Sequence, residues 1–322
     1  MRRLIWILLL ALLLVPACNR QADTGRTRVA LILKTLNNPF FIDMRKGAQQ
    51  AADRLGVDLV VQAAERELDV EKQMQIIENL IQTQVDAICL TPSGSKEIVP
   101  AILKANQANI PVVVLDTRID PQTASEAGVE TAGFIGSDNR EGGQIAGELL
   151  ARLSGGQARV AILEGIPGHE TGDSRLLGFH QAIESHPGIE VVASQPANWE
   201  RDQGFNVFQN LLQAHPQINY LFACNDMMAL GAIEAIAAVG KTGQIGVIGF
   251  DAVEDARQAI AAGTMLASVA QFPEEMGRVA VEIAVGLLRG EAVRAEVSVR
   301  IELITPEKLA GEKKDSQSGG RE

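Results

Sequence analysis

Short runs of consecutive apolar residues recur along this chain, each followed by a longer stretch in which apolar positions return at helical spacing. The runs fall at 29–33, 59–62, 87–90, 112–115 and 133–136, and each reads as a buried parallel strand. Between them, Val70, Met74, Ile77, Leu80 and Ile81 share one face of 69–84. In 95–109, Ser95 is placed to cap a helix whose Ile98, Ile102 and Ala105 face inward. The pattern then restarts, with strands expected at 159–163, 190–194, 220–223 and 244–250. Such alternation predicts an α/β protein, a parallel sheet with helices on both faces. The stretches 110–116 and 245–251 echo one another, each a hydrophobic strand ending in an aspartate, Asp116 and Asp251. That echo predicts two similar lobes whose acidic strand ends face each other across a cleft.

The first unit carries the densest chemistry. Its strand gives way to a polar turn, Pro39 stands at the helix start, and Met44, Ala48, Ala51, Ala52 and Leu55 continue to Gly56, placed as the C-terminal cap. Asn37, Asn38, Phe40 and Phe41 therefore lie at the carboxyl end of the strand, where ligands bind in parallel α/β sheets. Amides beside aromatic faces suit a ligand with hydroxyls on its rim and C–H groups on its faces, such as a sugar. Taken alone, the segment equally fits two core phenyl rings under a loop.

Residues 1–17 read as a secretory signal: Arg2 and Arg3, an apolar run over 4–15, and small Ala17 before Cys18. The run is short for a membrane span. Val15, Pro16, Ala17 and Cys18 resemble the bacterial lipoprotein cleavage box, in which the cysteine is lipidated, although Pro16 departs from it. Cleavage by ordinary signal peptidase before Cys18 is the alternative. Export to the periplasm or the outer face of the cell envelope, lipid-anchored through Cys18, is the expectation, with 18–27 as tether. Of 322 residues, 305 then remain, enough for two domains. The formal charge of −11 becomes −13 once Arg2 and Arg3 leave, which argues against a nucleic-acid partner. Cys89 and Cys224 lie in apolar runs and read as buried free thiols. No Cys/His spacing points to a metal, and no glycine loop to a cofactor. Gly142 and Gly143 read as close packing, Gly155 and Gly156 as a turn.

Further polar and aromatic clusters fall at expected strand ends: 90–93, 115–118, 195–199, 223–226, 249–251 and 270–273. With the strings 35–41, 105–111 and 225–232, they resemble the periplasmic pentose- and hexose-binding proteins of the ribose-binding type, over residues 27–302. The resemblance implies the periplasmic binding protein type I fold: two doubly wound parallel-sheet lobes joined by a three-stranded hinge. It implies an N-terminal lobe from 28–136 plus 271–300, a C-terminal lobe from 137–270 plus 301–310, and a flexible tail over 311–322. The crossings are expected near Gly136, Ala270 and Ile301.

By the same resemblance, Asn38, Phe40 and Phe41 contact the ligand, with Trp199 completing the aromatic sandwich where a phenylalanine is usual. Asp116, Asn225, Asp251 and Gln271 supply the polar contacts, and Phe250 a further aromatic wall. Three positions depart from the pattern. Thr91 replaces an asparagine, and Thr117 and Asp173 replace arginines, which makes the expected pocket more acidic and favours a donor-rich ligand. Arg118 follows on the opposite face of its strand, and Arg175 matches an arginine of structural role. Each residue also has a plainer reading: Asp116, Asp251 and Asn225 as helix caps, Trp199 as packing, Asp173 as a solvated carboxylate. Asp226 is the residue expected to cap the helix over 227–238.

The implied function is a monomeric solute-binding protein, not an enzyme. It would capture a small carbohydrate or polyol by hinge closure and deliver it to an ABC transporter permease. Docking on a chemoreceptor or sensor kinase, or a non-sugar ligand, is the alternative. No activated nucleophile supports a hydrolase, and the export signal occupies the place of a DNA-binding domain.

Overall fold

The computed structural model describes residues 25–318. The expected export signal, residues 1–17, and Cys18 lie outside them. The chain begins with β1 (Arg28–Leu33), α1 (Pro39–Leu55), β2 (Asp58–Ala63), α2 (Val70–Gln82), β3 (Ala87–Leu90), α3 (Val99–Gln107), β4 (Val112–Leu115), α4 (Pro121–Ala127) and β5 (Gly133–Ser137). It continues with α5 (Asn139–Leu153), β6 (Ala158–Glu164), α6 (Glu170–Ile183), β7 (Ile189–Pro196), α7 (Arg201–Ala214), β8 (Tyr220–Ala223), α8 (Asp226–Ala238), β9 (Gly246–Asp251), α9 (Glu254–Ala261) and β10 (Ala267–Ala270). Then come α10 (Pro273–Leu288), β11 (Glu296–Val299), β12 (Glu302–Ile304) and α11 (Pro306–Ser318).

Two six-stranded sheets result, ordered β11-β5-β4-β3-β1-β2 and β12-β10-β9-β8-β6-β7. Every pairing is parallel except the antiparallel pair of β12 with β10. Alternation along β1 shows why helices cover both faces: Val29, Leu31 and Leu33 enter one core cluster, Ala30 and Ile32 the other. The chain passes between sheets three times: from β5 into α5, from β10 into α10, and from β11 to β12. Helix α10 returns to the first lobe, packing on α1 so closely that a Cβ on Gly47 would lie 1.8 Å from Glu274 O.

Three local expectations are corrected. Ser95 does not cap α3, which starts four residues later; its hydroxyl instead accepts the Glu170 amide from the other lobe, at 3.3 Å. Asn225, not Asp226, caps α8, accepting the Met228 amide at 2.9 Å. Helix α4 and the edge strands β11 and β12 carry too little periodicity to be read from sequence. Residues 311–318, expected as a frayed tail, continue α11, tied to α9 by the Arg257 and Glu312 ion pair and anchored by buried Leu309.

Candidate ligand-binding site

The carboxyl ends of both sheets face one tight cleft between the lobes, where the side chains leave about 20 Å3 of free space, about the room of a single water. The lobes are drawn together around it. Arg66 Nε lies 3.3 Å from Glu200 Oε1 across the cleft, a second interlobe contact besides that of Ser95 with Glu170.

On the N-terminal lobe, Asn38 caps α1, accepting the Phe40 amide at 3.0 Å, and donates Nδ2 to Glu67 Oε1 at 3.2 Å. The same turn buries Phe40 and Phe41 edge to face, centroids 5.3 Å apart. Lys34, directly after β1, is buried and donates Nζ to Thr117 Oγ1 at 2.7 Å and to Asp116 Oδ2 at 3.1 Å. Its ammonium lies 3.8 Å from Glu67 Oε2. Burial pushes the Glu67 carboxyl up to about 7, against the pull of Lys34 and Asn38.

On the C-terminal lobe, Arg175 of α6 donates Nη1 to Cys224 O at 2.6 Å and Nε to Asn139 Oδ1 at 2.8 Å. Its guanidinium lies 3.7 Å above the Phe250 ring and 3.7 Å from Asp251 Oδ1. Gln271 donates to Asp251 Oδ1 at 2.8 Å. Burial raises the Asp251 carboxyl to about 6, opposed by Arg175 and Gln271. Trp199 follows Asn198 in a doubly left-handed turn (φ 53° and 69°), which lays its indole against Gly165. A Cβ there would meet the ring at 1.9 Å. Asn225 donates Nδ2 to Trp199 O at 3.1 Å. Thr171 Oγ1 and Trp199 Nε1 are buried and have no hydrogen-bond partner within the protein.

Asp116 and Asp251 do not cap helices; Asp120 and Val253 precede α4 and α9. Both aspartates instead have positive φ, 61° and 108°. Such backbone costs about 1–3 kcal/mol and concentrates at functional sites.

Of the twelve residues expected at the ligand, Asn38, Phe40, Phe41, Asp116, Trp199, Asn225, Asp251 and Gln271 line the cavity. Four do not. Thr91 turns its hydroxyl to Ile32 O at 3.1 Å. Thr117 lies behind the wall, between Lys34 and Asp116. Phe250 sits beneath Arg175, its ring edge against Gly142. Asp173 is exposed and lines a separate groove of about 790 Å3 with Arg118 and Phe134. Helical phase explains this: Thr171 and Arg175, four apart, share the inward face of α6, and a residue two positions along cannot join them.

Lys34, Glu67, Thr171 and Arg175 line the cavity in addition. The pocket is therefore not depleted of cations as the sequence implied. Lys34 was legible as a lone cation ending an apolar strand, and Thr171 as the helical neighbour of Arg175. Nothing distinguishes Glu67 from Glu65 in their shared loop.

His169, just before α6, is buried, and its Nδ1 has no hydrogen-bond partner within the protein. Burial and the Lys34 charge hold its imidazole down at about 3. Cys89 and Cys224 are free and buried, one in each lobe, both thiols pushed up to about 12 by burial. No described helix is long and apolar enough to cross a membrane.

Residues 29–292 match the periplasmic binding protein domain model. The chain belongs to that family. It is 39% identical over 280 residues to the ribose import binding protein of Escherichia coli (strain K12), covering 87% of this chain and 91% of that one. It is 38% identical to a periplasmic solute-binding protein of an ABC transporter from Actinobacillus succinogenes 130z solved with bound D-allose, with a TM-score of 0.84 and coverage of 89% and 100%. A third member, from Bacillus halodurans C-125 with bound myo-inositol, is 30% identical with a TM-score of 0.82, covering 91% of this chain and 99% of that one. The shared fold is the two-lobed, parallel-sheet architecture described above.

Proposed function

We propose that this chain captures a monosaccharide or cyclic polyol in the interlobe cleft, outside the cytoplasmic membrane, and delivers it to an ABC importer. The observation that carries this reading is the composition of the enclosed wall. Asp116 and Asp251 accept from vicinal hydroxyls, Lys34 and Arg175 donate to ring or hydroxyl oxygens, and Thr171 Oγ1 and Trp199 Nε1 remain for the ligand. Phe40, Phe41 and Trp199 cover C–H faces. Ribose, allose and inositol among the relatives' ligands are molecules of this make-up. Closure excludes water, which strengthens each of these hydrogen bonds, and the closed shape is what a transporter distinguishes from the empty one. The protein acts as a monomer, and Cys18 carries the lipid; the mass of the mature amino terminus tests the latter.

The deciding experiment follows Trp199 fluorescence and melting temperature against pentoses, hexoses and inositols. A ligand at a hundred times its Kd stabilises by about 2.7 kcal/mol, a clear rise in Tm. A saturable shift with one group, lost in Asp251→Ala, is the expected result. A well-folded protein that responds to none of them overturns the reading.

A further inference from the structure

Asp226 is fully buried yet does not line the ligand cavity. Helix capping does not account for it, because Asn225 fills that role. Its carboxylate instead serves the loop after β9. Oδ2 accepts the Val253 amide at 2.9 Å, and Oδ1 accepts Ser268 Oγ at 2.7 Å. Ser268 Oγ in turn accepts the Ala252 amide at 2.9 Å. These amides belong to the residues directly after Asp251, where the backbone is left-handed twice running, φ 108° at Asp251 and 52° at Ala252. Neither residue is glycine, so that conformation persists only if surrounding contacts impose it. The sequence makes room for the device at Gly249, where a Cβ would stand 2.2 Å from Asp226 Oδ1.

We infer that Asp226 is a positioning residue for the ligand: through Val253 and Ser268 it clamps the turn at Asp251 and Ala252 and so aims the Asp251 carboxylate into the cleft. This rests on the ligand-binding reading above. All five residues belong to the C-terminal lobe, so the clamp does not depend on lobe closure. Burial together with the neighbouring Asp251 charge raises the Asp226 carboxyl well above its usual range. A merely structural aspartate in this place would be exchangeable for a neutral isostere.

The test has two arms on the intact protein. In the first, amide hydrogen exchange is compared between wild type and Asp226→Asn without ligand. Exchange at Ala252 and Val253 should accelerate about tenfold or more while the sheet core is unchanged, since both carboxyl oxygens accept and asparagine replaces one of them with a nitrogen that cannot. In the second, Kd for the bound sugar is measured in a double-mutant cycle with Asp251→Asn. Asp226→Asn should weaken binding about tenfold or more alone, but less than about threefold when Asp251 is already changed. Unaltered local exchange, or additive losses, overturns the inference. If no sugar binds well-folded wild type, the ligand reading fails while the exchange arm still decides the clamp. Should Asp226→Asn not fold, Ser268→Ala cuts the same relay at its other end and is held to the same outcomes.

Discussion

Arg66 on the N-terminal lobe and Glu200 on the C-terminal lobe meet at the cleft mouth, Nε to Oε1 at 3.3 Å. The two residues are 134 positions apart in sequence and can pair only when the lobes are closed. The contact therefore stabilises the closed form without touching the cavity. Arg66 is about half exposed, so the pair is worth only about 0.2–1 kcal/mol. Arg66→Ala should raise the ligand Kd by about two- to fivefold at low salt, acting on the off-rate. Raising the salt should shrink the difference. An undiminished difference at high salt would show that Arg66 acts by packing and not by charge.

His169 makes closure sensitive to acid. In the closed form its imidazole is held at about 3 by burial and Lys34; with the lobes apart, burial and the Lys34 charge fall away and it returns toward the ordinary 6.5. A depressed closed-state value leaves closure unpenalised above the open-state value and penalises it progressively as pH falls below that. Glu67 and Asp251, raised to about 7 and about 6, work in the opposite direction, so wild type alone is not diagnostic. The ratio of wild-type to His169→Gln affinities isolates the histidine. That ratio should be flat from pH 8 to about 6.5 and then fall toward about tenfold per pH unit. A ratio constant from pH 8 to pH 5 would rule out the linkage.

How much was legible can be judged residue by residue. Apolar runs alternating with helical periods placed both sheets, because a doubly wound strand buries both faces and leaves an unbroken apolar signature. Strands β11 and β12 lack that signature because they are only four and three residues long and each buries a single residue, Val299 and Ile304. At the site, Asn38, Asp116, Asp251 and Gln271 could be placed because each follows a strand end. The resemblance puts Asp173 at the ligand, but helical phase assigns the inward face of α6 to Thr171 and Arg175. Thr91 has a satisfied partner in Ile32 O, and nothing in a sequence shows which way a threonine hydroxyl turns. Lys34 was passed over because a cation inside a wall looks implausible until its three acidic and hydroxyl neighbours are seen together.

Trp199 offers a donor that phenylalanine could not. Its Nε1 and Thr171 Oγ1 are buried on one wall without protein partners. An unmade hydrogen bond there costs about 1–3 kcal/mol, which a sugar oxygen relieves. Trp199→Phe and Thr171→Val should each weaken binding by about two- to tenfold while leaving the ligand-free Tm unchanged or higher. Calorimetric titration of both variants checks this. Unchanged Kd in both would mean that neither polar atom meets the ligand.

Lys34 is the cation on which the N-terminal wall depends. Its ammonium stands within 3.8 Å of Glu67 and 3.1 Å of Asp116, all three nearly buried. Lys34→Met keeps the length and apolar stem but leaves two carboxylates in low dielectric without their counter-charge. Breaking a buried pair in this way costs about 3–5 kcal/mol. The loss should depend on pH with a definite sign. Glu67 is already raised to about 7; a raised group contributes stability at pH below its unfolded value, and that stability is lost as pH rises through the folded value. Removing Lys34, which pulls the Glu67 value down, moves it further up. The variant should therefore approach wild type at pH 5, where Glu67 is protonated in both, and fall furthest behind at pH 8. Melting curves of both proteins at the two pH values decide it. Equal deficits at pH 5 and 8 would mean that Lys34 stabilises the wall by packing, and that Glu67 does not feel its charge.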